Sequence, residues 1–251
     1  MNRMQPKQVH QPTKQDANYS VEWARYGQAS APHHVLFAPL HYEPAYAYPL
    51  VVWLHGPRDN EHQLKRVMPN LSMRNYVATA PRGTVEIRLA TETLGYRWEQ
   101  SESHIQTAEH AVMAAIDGAQ EKFNIAPQRI FLAGFGCGGT MAYRIALNHP
   151  HQFAGALSLG GGFPTGHRPL RNLNDIRRLP LFLACGTESR HYSPDDVCRD
   201  LRLFHSAGLS VTVRQYPCGD ELTTLMLGDM NRWIMEQFCP TASTVGTESS
   251  R

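Results

Sequence analysis

The chain lacks long apolar runs and blocks of like charge. No stretch approaches the roughly 18 consecutive apolar residues that a transmembrane helix needs, so we predict no membrane span. Residues 1–20 are polar and contain no apolar segment of the kind that a secretory signal requires, so we expect a cytoplasmic protein. The net charge is only +2 and is dispersed along the chain, which gives no reason to expect a nucleic-acid partner.

Cysteine pairs are also missing from the sequence. The five cysteines, at positions 137, 185, 198, 218 and 239, are an odd number and form no C-x-x-C pair. This spacing argues against a disulfide framework and carries no zinc-ligand pattern, so we expect reduced thiols and no metal site. Gly134, Gly136 and Gly139 match a dinucleotide-binding fingerprint, but no carboxylate lies between Thr140 and Asn174 to bind a ribose. We therefore expect no cofactor.

Two kinds of apolar segment alternate along the chain. Residues 49–55 form a run that is almost uniformly apolar, which is typical of a strand buried on both faces. From residue 104 to 123 apolar side chains recur at spacings of three and four, which predicts an amphipathic helix. The alternation predicts an α/β fold with a mostly parallel central sheet and helices on both faces. We assign residues 31–239 to this domain, residues 1–30 to a polar extension and residues 240–251 to a disordered tail.

Local signals place the ends of further elements. Asn60 with Gln63 resembles a capping box and predicts a helix from about residue 60 to 68. Ser193 followed by Pro194 predicts the start of a helix that runs to about residue 205. The remaining predicted helices cover residues 138–148 and 221–238, and the other predicted strands cover 34–39, 76–80, 129–133, 153–159, 179–184 and 210–216.

Residues 129–140 have the pattern of a strand, a sharp turn and a helix. The turn places Gly136 between Gly134 and Gly138. A hydrolase nucleophile elbow has the pattern G-x-S-x-G, and Gly136 stands at the position of its serine. The middle residue of such an elbow has a strained backbone, which glycine adopts at little cost. Glycine has no side chain to attack a carbonyl, so we predict the bend without its nucleophile.

The segment from residue 49 to 238 resembles the phospholipase/carboxylesterase family of α/β-hydrolases, which includes acyl-protein thioesterases. The resemblance implies the α/β-hydrolase fold and an ester or thioester as the ancestral substrate. Its motifs occur in the family's order: Leu54-His55-Gly56, Ala80-Pro81-Arg82-Gly83, Gly134-Phe135-x-x-Gly138-Gly139, His149-Pro150-x-x-Phe153-Ala154-Gly155 and Tyr216-Pro217-Cys218-Gly219.

The same resemblance implies a catalytic triad whose three positions are all substituted here. Gly136 stands at the nucleophile position, Ser189 at the acid position and Asp220 at the histidine position. The family's oxyanion hole takes one N–H from the position of Cys137 and one from the position of Pro57, and proline has none to give. We therefore predict a catalytically inactive homologue that acts as a binding or regulatory protein rather than an enzyme.

Other roles for these residues stay open. Cys137 is an alternative nucleophile, because a thiolate attacks acyl groups, and this reading predicts an active carboxylesterase or thioesterase. Asp220 precedes a predicted helix and so is also a candidate N-cap. We interpret Ser189 as a turn residue and His191 as a solvated loop histidine.

A ligand site is expected above the carboxyl ends of the strands. We expect Pro57, Arg58, Trp98 and Cys137 to line it, and a small acyl or carbonyl ligand or a protein partner to bind there. Residues 168–178 contain four arginines, which form either a solvated face or an attractive surface for an anion.

Overall fold

The computed structural model describes residues 33–88 and 94–238. The predicted polar extension and the predicted C-terminal tail lie outside the described residues, as does Cys239. The described part forms an α/β fold with a mostly parallel central sheet that helices cover on both faces. The predicted fold class is therefore confirmed.

The central sheet has seven strands among the described residues. Their spatial order is β1-β3-β2-β6-β7-β8-β9, and every neighbouring pair is parallel except β1 with β3. A separate antiparallel hairpin pairs β4 with β5. The strands are β1 (His34–Phe37), β2 (Tyr48–Leu54), β3 (Val77–Pro81), β4 (Val85–Arg88), β5 (Leu94–Arg97), β6 (Ile125–Phe135), β7 (Gly155–Leu159), β8 (Leu181–Gly186) and β9 (Val211–Tyr216).

The helices divide between the two faces of the sheet. Helices α2, α3 and α5 contribute to one apolar cluster, which also takes Leu50 and Val52 of β2, whereas α1 and α6 contribute to the other with Val51 and Trp53. Side chains alternate along a strand, so an all-apolar β2 supplies both clusters. The helices are α1 (Leu64–Leu71), α2 (Glu102–Gln120), α3 (Cys137–Asn148), α4 (Leu173–Ile176), α5 (Pro194–Ala207) and α6 (Thr224–Phe238).

Capping explains where two of the helices begin. Ser193 and Asp196 form a reciprocal capping box at the start of α5, with Pro194 in the first turn, as the sequence predicts. At the predicted box before α1, Asn60 accepts from the N–H of His62, but Gln63 does not return the bond. The Gln63 side chain instead accepts from the indole N–H of Trp53 and the backbone N–H of Gly56, and it donates to Asp59, so that half of the prediction is wrong.

Two further differences from the predicted elements concern short segments. The β4–β5 hairpin and the single turn of α4 have no predicted counterpart, because both are too short to show a hydrophobic period. Helix α6 begins at Thr224 rather than at residue 221, and the Thr223 hydroxyl accepts from the N–H of Met226 at 3.2 Å.

The order of the strands reverses at the end of β2. The chain winds from β2 outward to β3 in one direction and from β6 outward to β9 in the other, so β2 and β6 are neighbours at the reversal. Parallel strands end at the same edge of the sheet, and ligands bind α/β sheets at such a reversal. The loops that follow β2 and β6 meet at this point.

Candidate functional site

The turn after β6 has the geometry of a nucleophile elbow. Gly136 has φ 53° and ψ −122°, a backbone conformation that residues with side chains rarely adopt. Its N–H donates to the carbonyl of Leu159 at 2.8 Å, which holds the turn against the end of β7. A Cβ at Gly134 would lie 2.5 Å from the backbone of Gly138, and one at Gly138 would lie 2.3 Å from the carbonyl oxygen of Leu54. The elbow therefore needs its flanking glycines for close packing.

The ring of Pro57 occupies the space directly above Gly136. A Cβ built on Gly136 would lie 3.1 Å from Cδ of Pro57, inside the roughly 3.5–4.0 Å of optimal carbon contacts. A serine at this position would therefore meet the proline ring as well as the strained backbone angle. The structure places Pro57 and Gly136, two of the residues singled out from the sequence, in direct apposition.

The loop after β2 has no free N–H at the position expected for an oxyanion donor. Pro57 has no amide hydrogen, and the N–H of Arg58 donates to the carbonyl of Tyr96 at 3.0 Å. The N–H of Tyr96 in turn donates to the carbonyl of Asp59 at 2.7 Å. These two bonds tie the loop to the β4–β5 hairpin and fix Arg58 in a left-handed conformation, with φ 64°. The Arg58 side chain is exposed.

Cys137 follows the elbow and is half-buried at the first position of α3. Burial raises the pKa of its thiol, and the backbone N–H groups of Trp98 and Gly138 oppose that effect only in part. A thiol with a raised pKa is protonated at neutral pH, and the protonated form is a poor nucleophile. Trp98 is itself buried, and its indole N–H donates to the carbonyl of His55 at 3.0 Å. The indole N–H of Trp98 is therefore already engaged and is not available to a ligand.

The residues at the acid and histidine positions contact each other. The hydroxyl of Ser189 donates to Asp220 Oδ1 at 2.5 Å, and the backbone N–H groups of Arg190 and His191 donate to the same carboxylate at 3.2 Å. The hydrogen bond from Ser189, with those from His191 and Arg190, holds the pKa of Asp220 well below its ordinary value. The carboxylate thus binds the loop after β8 and does not cap α6, so the N-cap interpretation is wrong.

His191 lies beside this carboxylate. Its Nδ1 is 2.9 Å from Asp220 Oδ2, while the side chain is 86% exposed. The ring is solvated, as the sequence interpretation holds, but its pairing with Asp220 has no signal in the sequence, because 29 positions separate the two residues. A carboxylate–imidazole pair therefore exists between these two loops, with the histidine on the loop after β8 and the carboxylate on the loop after β9.

A second histidine, buried at the end of β2, was not singled out from the sequence. His55 Nε2 accepts from the N–H of Gly83 at 2.9 Å, so its Nδ1 carries the proton and donates to the carbonyl of Gly56 at 2.8 Å. Burial lowers the pKa of this imidazole. Because both ring nitrogens are engaged and the ring packs on Trp98, His55 holds the loops in place and is not available as a base.

Metal and membrane sites are not found in the described part of the chain. Among residues 33–88 and 94–238 no group of three or more histidine, cysteine, aspartate or glutamate side chains is placed to hold a metal ion. Within the same ranges no helix combines the length and the hydropathy needed to cross a bilayer.

Comparison with known families and structures gives a consistent match. The family model described as Phospholipase/Carboxylesterase matches residues 46–234, which is more than half of the chain. The match includes the elbow, the loop after β2 and the loops that carry Ser189 and Asp220. It therefore covers Gly136, Ser189 and Asp220, the positions at which the sequence predicts substituted catalytic residues.

Solved structures show the same fold at low sequence identity. A carboxylesterase from Mesorhizobium loti superposes with a TM-score of 0.67 and 18% identity, covering 82% of this chain and 96% of that one. Zea mays acyl-protein thioesterase 2 gives a TM-score of 0.61 and 17% identity, covering 84% of this chain and 99% of that one. Arabidopsis thaliana SOBER1 gives 0.62 and 19%, covering 76% and 99%. Similarity at this level of identity establishes the shared fold.

Proposed function

The chain belongs to the phospholipase/carboxylesterase family of α/β-hydrolases, and from this premise we propose that it has lost ester hydrolysis and acts as a binding or regulatory protein. The observation that carries the proposal is the elbow itself. Gly136 keeps the strained geometry of a nucleophile turn but has no atom that can attack a carbonyl.

The neighbouring groups support the same conclusion. Acyl transfer by this fold needs a nucleophile, a base that removes its proton and donors for the oxyanion. Pro57 occupies the space above the elbow and supplies no N–H, and the N–H of Arg58 is already bonded to the hairpin. Ser189 and Asp220 satisfy each other, so neither is directed at a reacting group by its hydrogen bonds.

The alternative is catalysis by Cys137 as the nucleophile of a carboxylesterase or thioesterase. Its position at the N-terminus of α3 favours a thiolate, but burial outweighs the donors around it and raises its pKa. Alkylation by iodoacetamide distinguishes the two proposals. We expect Cys137 to react more slowly than the exposed Cys198 at neutral pH, whereas a catalytic thiolate would react much faster than Cys198.

The proposed ligand site lies at the carboxyl ends of the strands. We expect Pro57, Arg58, Trp98 and Cys137 to line a ligand site at the loops after β2 and β6, and a small acyl or carbonyl ligand suits its family origin. A protein partner remains the other occupant within this proposal. A cytoplasmic location is part of the same proposal, and the odd number of cysteines without a C-x-x-C pair supports it.

Turnover of activated esters tests the proposal. The full chain is incubated with p-nitrophenyl butyrate and with a butyryl thioester, alongside the variants Cys137→Ala and, as a matched control, Cys198→Ala. We expect the three proteins to release product at the rate of buffer alone. Turnover above buffer that disappears in Cys137→Ala and persists in Cys198→Ala would instead establish the Cys137 esterase. Turnover that persists in both variants would also contradict the proposal.

A further inference from the structure

A second cleft lies apart from the elbow, between the loop that follows β7 and helix α5. Its volume is about 610 Å³, which is within the range of sites for small organic ligands. Phe163, Pro164, Leu170 and Leu203 contribute apolar surface to it, and neither Gly136 nor Cys137 lines it. We infer that this cleft binds an anionic amphiphile, which is a carboxylate or phosphate group attached to an apolar chain or ring.

The wall of the cleft is fixed from below by a buried arginine. Arg144, on α3, is fully buried and donates through Nη1 to the carbonyl of Gly166 at 2.7 Å and through Nη2 to the carbonyl of Thr165 at 2.5 Å. Its Nε donates to Gln100 Oε1 at 3.0 Å. The guanidinium fork therefore holds two successive carbonyls of the loop, and a wall that is fixed before binding loses little entropy when a ligand arrives.

A buried carboxylate holds the other end of the loop. Asp200, on α5, accepts from the N–H of Phe163 at 2.8 Å and from the hydroxyl of Tyr192 at 2.9 Å. Arg199 lies between this carboxylate and Asp196, with its Nη1 2.7 Å from Asp196 Oδ1. The negative charges near the cleft are therefore already engaged by donors and by Arg199.

Two arginines at the mouth of the cleft carry charges that no described carboxylate neutralises. Arg168 and Arg171 are exposed, and neither pairs with a carboxylate within the described ranges. The N–H of Arg171 donates to the carbonyl of Arg168 at 3.1 Å, so one turn presents both residues. Residues 166–168 all have a left-handed φ, between 50° and 68°, which is a costly conformation for His167 and Arg168.

Charge complementarity selects the head of the ligand and the apolar wall selects its tail. Guanidinium groups bind carboxylate and phosphate oxygens through paired N–H donors. A neutral molecule with the same tail gains only the apolar contact, so the inferred site prefers the anion. A simple anion such as acetate gains only the charge contact and is expected to bind more weakly than a longer chain.

Calorimetric titration of the full chain at low salt tests this inference. The probes are octanoate, octyl phosphate, 1-octanol and acetate, each kept below the concentration at which it forms micelles. We expect octanoate, octyl phosphate or both to bind at least tenfold more tightly than octanol and acetate. The comparison of the two anions shows which head group the site prefers. Failure of both to bind more tightly than octanol would overturn the inference.

Paired substitutions identify the cleft as the location of binding. Arg168→Gln with Arg171→Gln removes the two charges at the mouth, and the control Arg74→Gln with Arg202→Gln removes two exposed charges that do not line the cleft. We expect affinity for the anion to fall at least tenfold in the first pair and to stay within twofold in the control. Leu203→Asp, which places a carboxylate in the apolar wall, gives the same loss. If the variant with Arg168→Gln and Arg171→Gln binds the anion as tightly as the unsubstituted chain, the cleft is not the binding site.

This inference goes beyond the function proposed above, and the two fail separately. Ester turnover together with tight octanoate binding would contradict the proposed loss of catalysis and support the anion site in the cleft. Absence of both turnover and anion binding would contradict the anion site and support the proposed loss of catalysis.

Discussion

Residue 136 shows that the proposed loss of chemistry does not depend on one substitution alone. Gly136 keeps φ 53°, an angle that costs a side-chain-bearing residue about 1–3 kcal/mol. An active family member tolerates that strain to expose its nucleophile, whereas this chain avoids it. Pro57 lies over this position, with its Cδ 3.1 Å from a Cβ built on Gly136. A serine at residue 136 would therefore meet a strained angle and a proline ring.

Substitution Gly136→Ser tests this reading. We expect the variant to fold, to lose about 1–3 kcal/mol of unfolding free energy and to release no product from p-nitrophenyl butyrate above buffer. Urea unfolding gives the first quantity and a spectrophotometric assay the second. Gly228→Ser is the matched control, because Gly228 lies exposed on α6 with open space around its Cα, and its stability is expected to change by less than about 1 kcal/mol. Hydrolysis that appears on Gly136→Ser alone would mean that a competent base and oxyanion hole survive.

His55 gives the stability of the protein a pH dependence near neutrality. Burial lowers its pKa in the folded state, so the unfolded chain binds a proton near pH 6.5 while the folded chain does not. Stability is therefore greatest above that pH and falls as the pH drops below about 6.5 toward the folded pKa. The slope from one such group reaches at most about 1.4 kcal/mol per pH unit.

The substitution His55→Gln removes this contribution. Urea unfolding between pH 7.5 and 5.5 is expected to show a shallower loss of stability in His55→Gln than in the unsubstituted chain. His110→Gln, at an exposed position of α2, is the control and should leave the slope as it was. If the slope of unfolding free energy against pH is the same in His55→Gln as in the unsubstituted chain, burial does not lower the pKa of His55 in the folded state.

The elements of this protein differ in how far the sequence alone predicts them. The strand, turn and helix around Gly136 are predicted because a glycine pattern and apolar periodicity coincide there, and α5 because Ser193 and Pro194 mark its start. The β4–β5 hairpin is not predicted, since each strand has only four residues. Asp220 was interpreted as a helix cap because its true partner, Ser189, is 31 positions away. No local pattern reports a contact of that kind.

The loop after β7 is the element whose position depends most on one side chain. Replacing Arg144 by methionine keeps much of the apolar packing and removes the fork that holds the carbonyls of Thr165 and Gly166. We expect unfolding free energy to fall by about 1–3 kcal/mol, because hydrogen bonds donated by a buried charged group are lost. Hydrogen exchange should accelerate in residues 163–171 more than in β6 or β7. Uniform acceleration through the sheet would show that Arg144 supports the core and not the loop.

At the scale of the whole molecule, we propose that the fold has been kept while the chemistry has been lost. The described residues form a mostly parallel seven-stranded sheet, and the chain belongs to the phospholipase/carboxylesterase family; the ordered motifs of the sequence suffice to predict that much. The proposed vacancy at Gly136, Ser189 and Asp220 is likewise predicted from the sequence. The cleft beside α5 is not, because it forms where Arg144 and Asp200 pull one loop from two sides.

Covalent trapping tests the central claim, the loss of acyl chemistry, most directly. The full chain is mixed with a reactive butyryl thioester, quenched in acid within its first turnovers and measured as intact protein by mass spectrometry, followed by peptide mapping. We predict no added acyl mass on Cys137 and at most slow, non-enzymatic acylation of the exposed Cys198. Rapid, stoichiometric acylation of Cys137 or of any other single residue near the elbow would contradict the account.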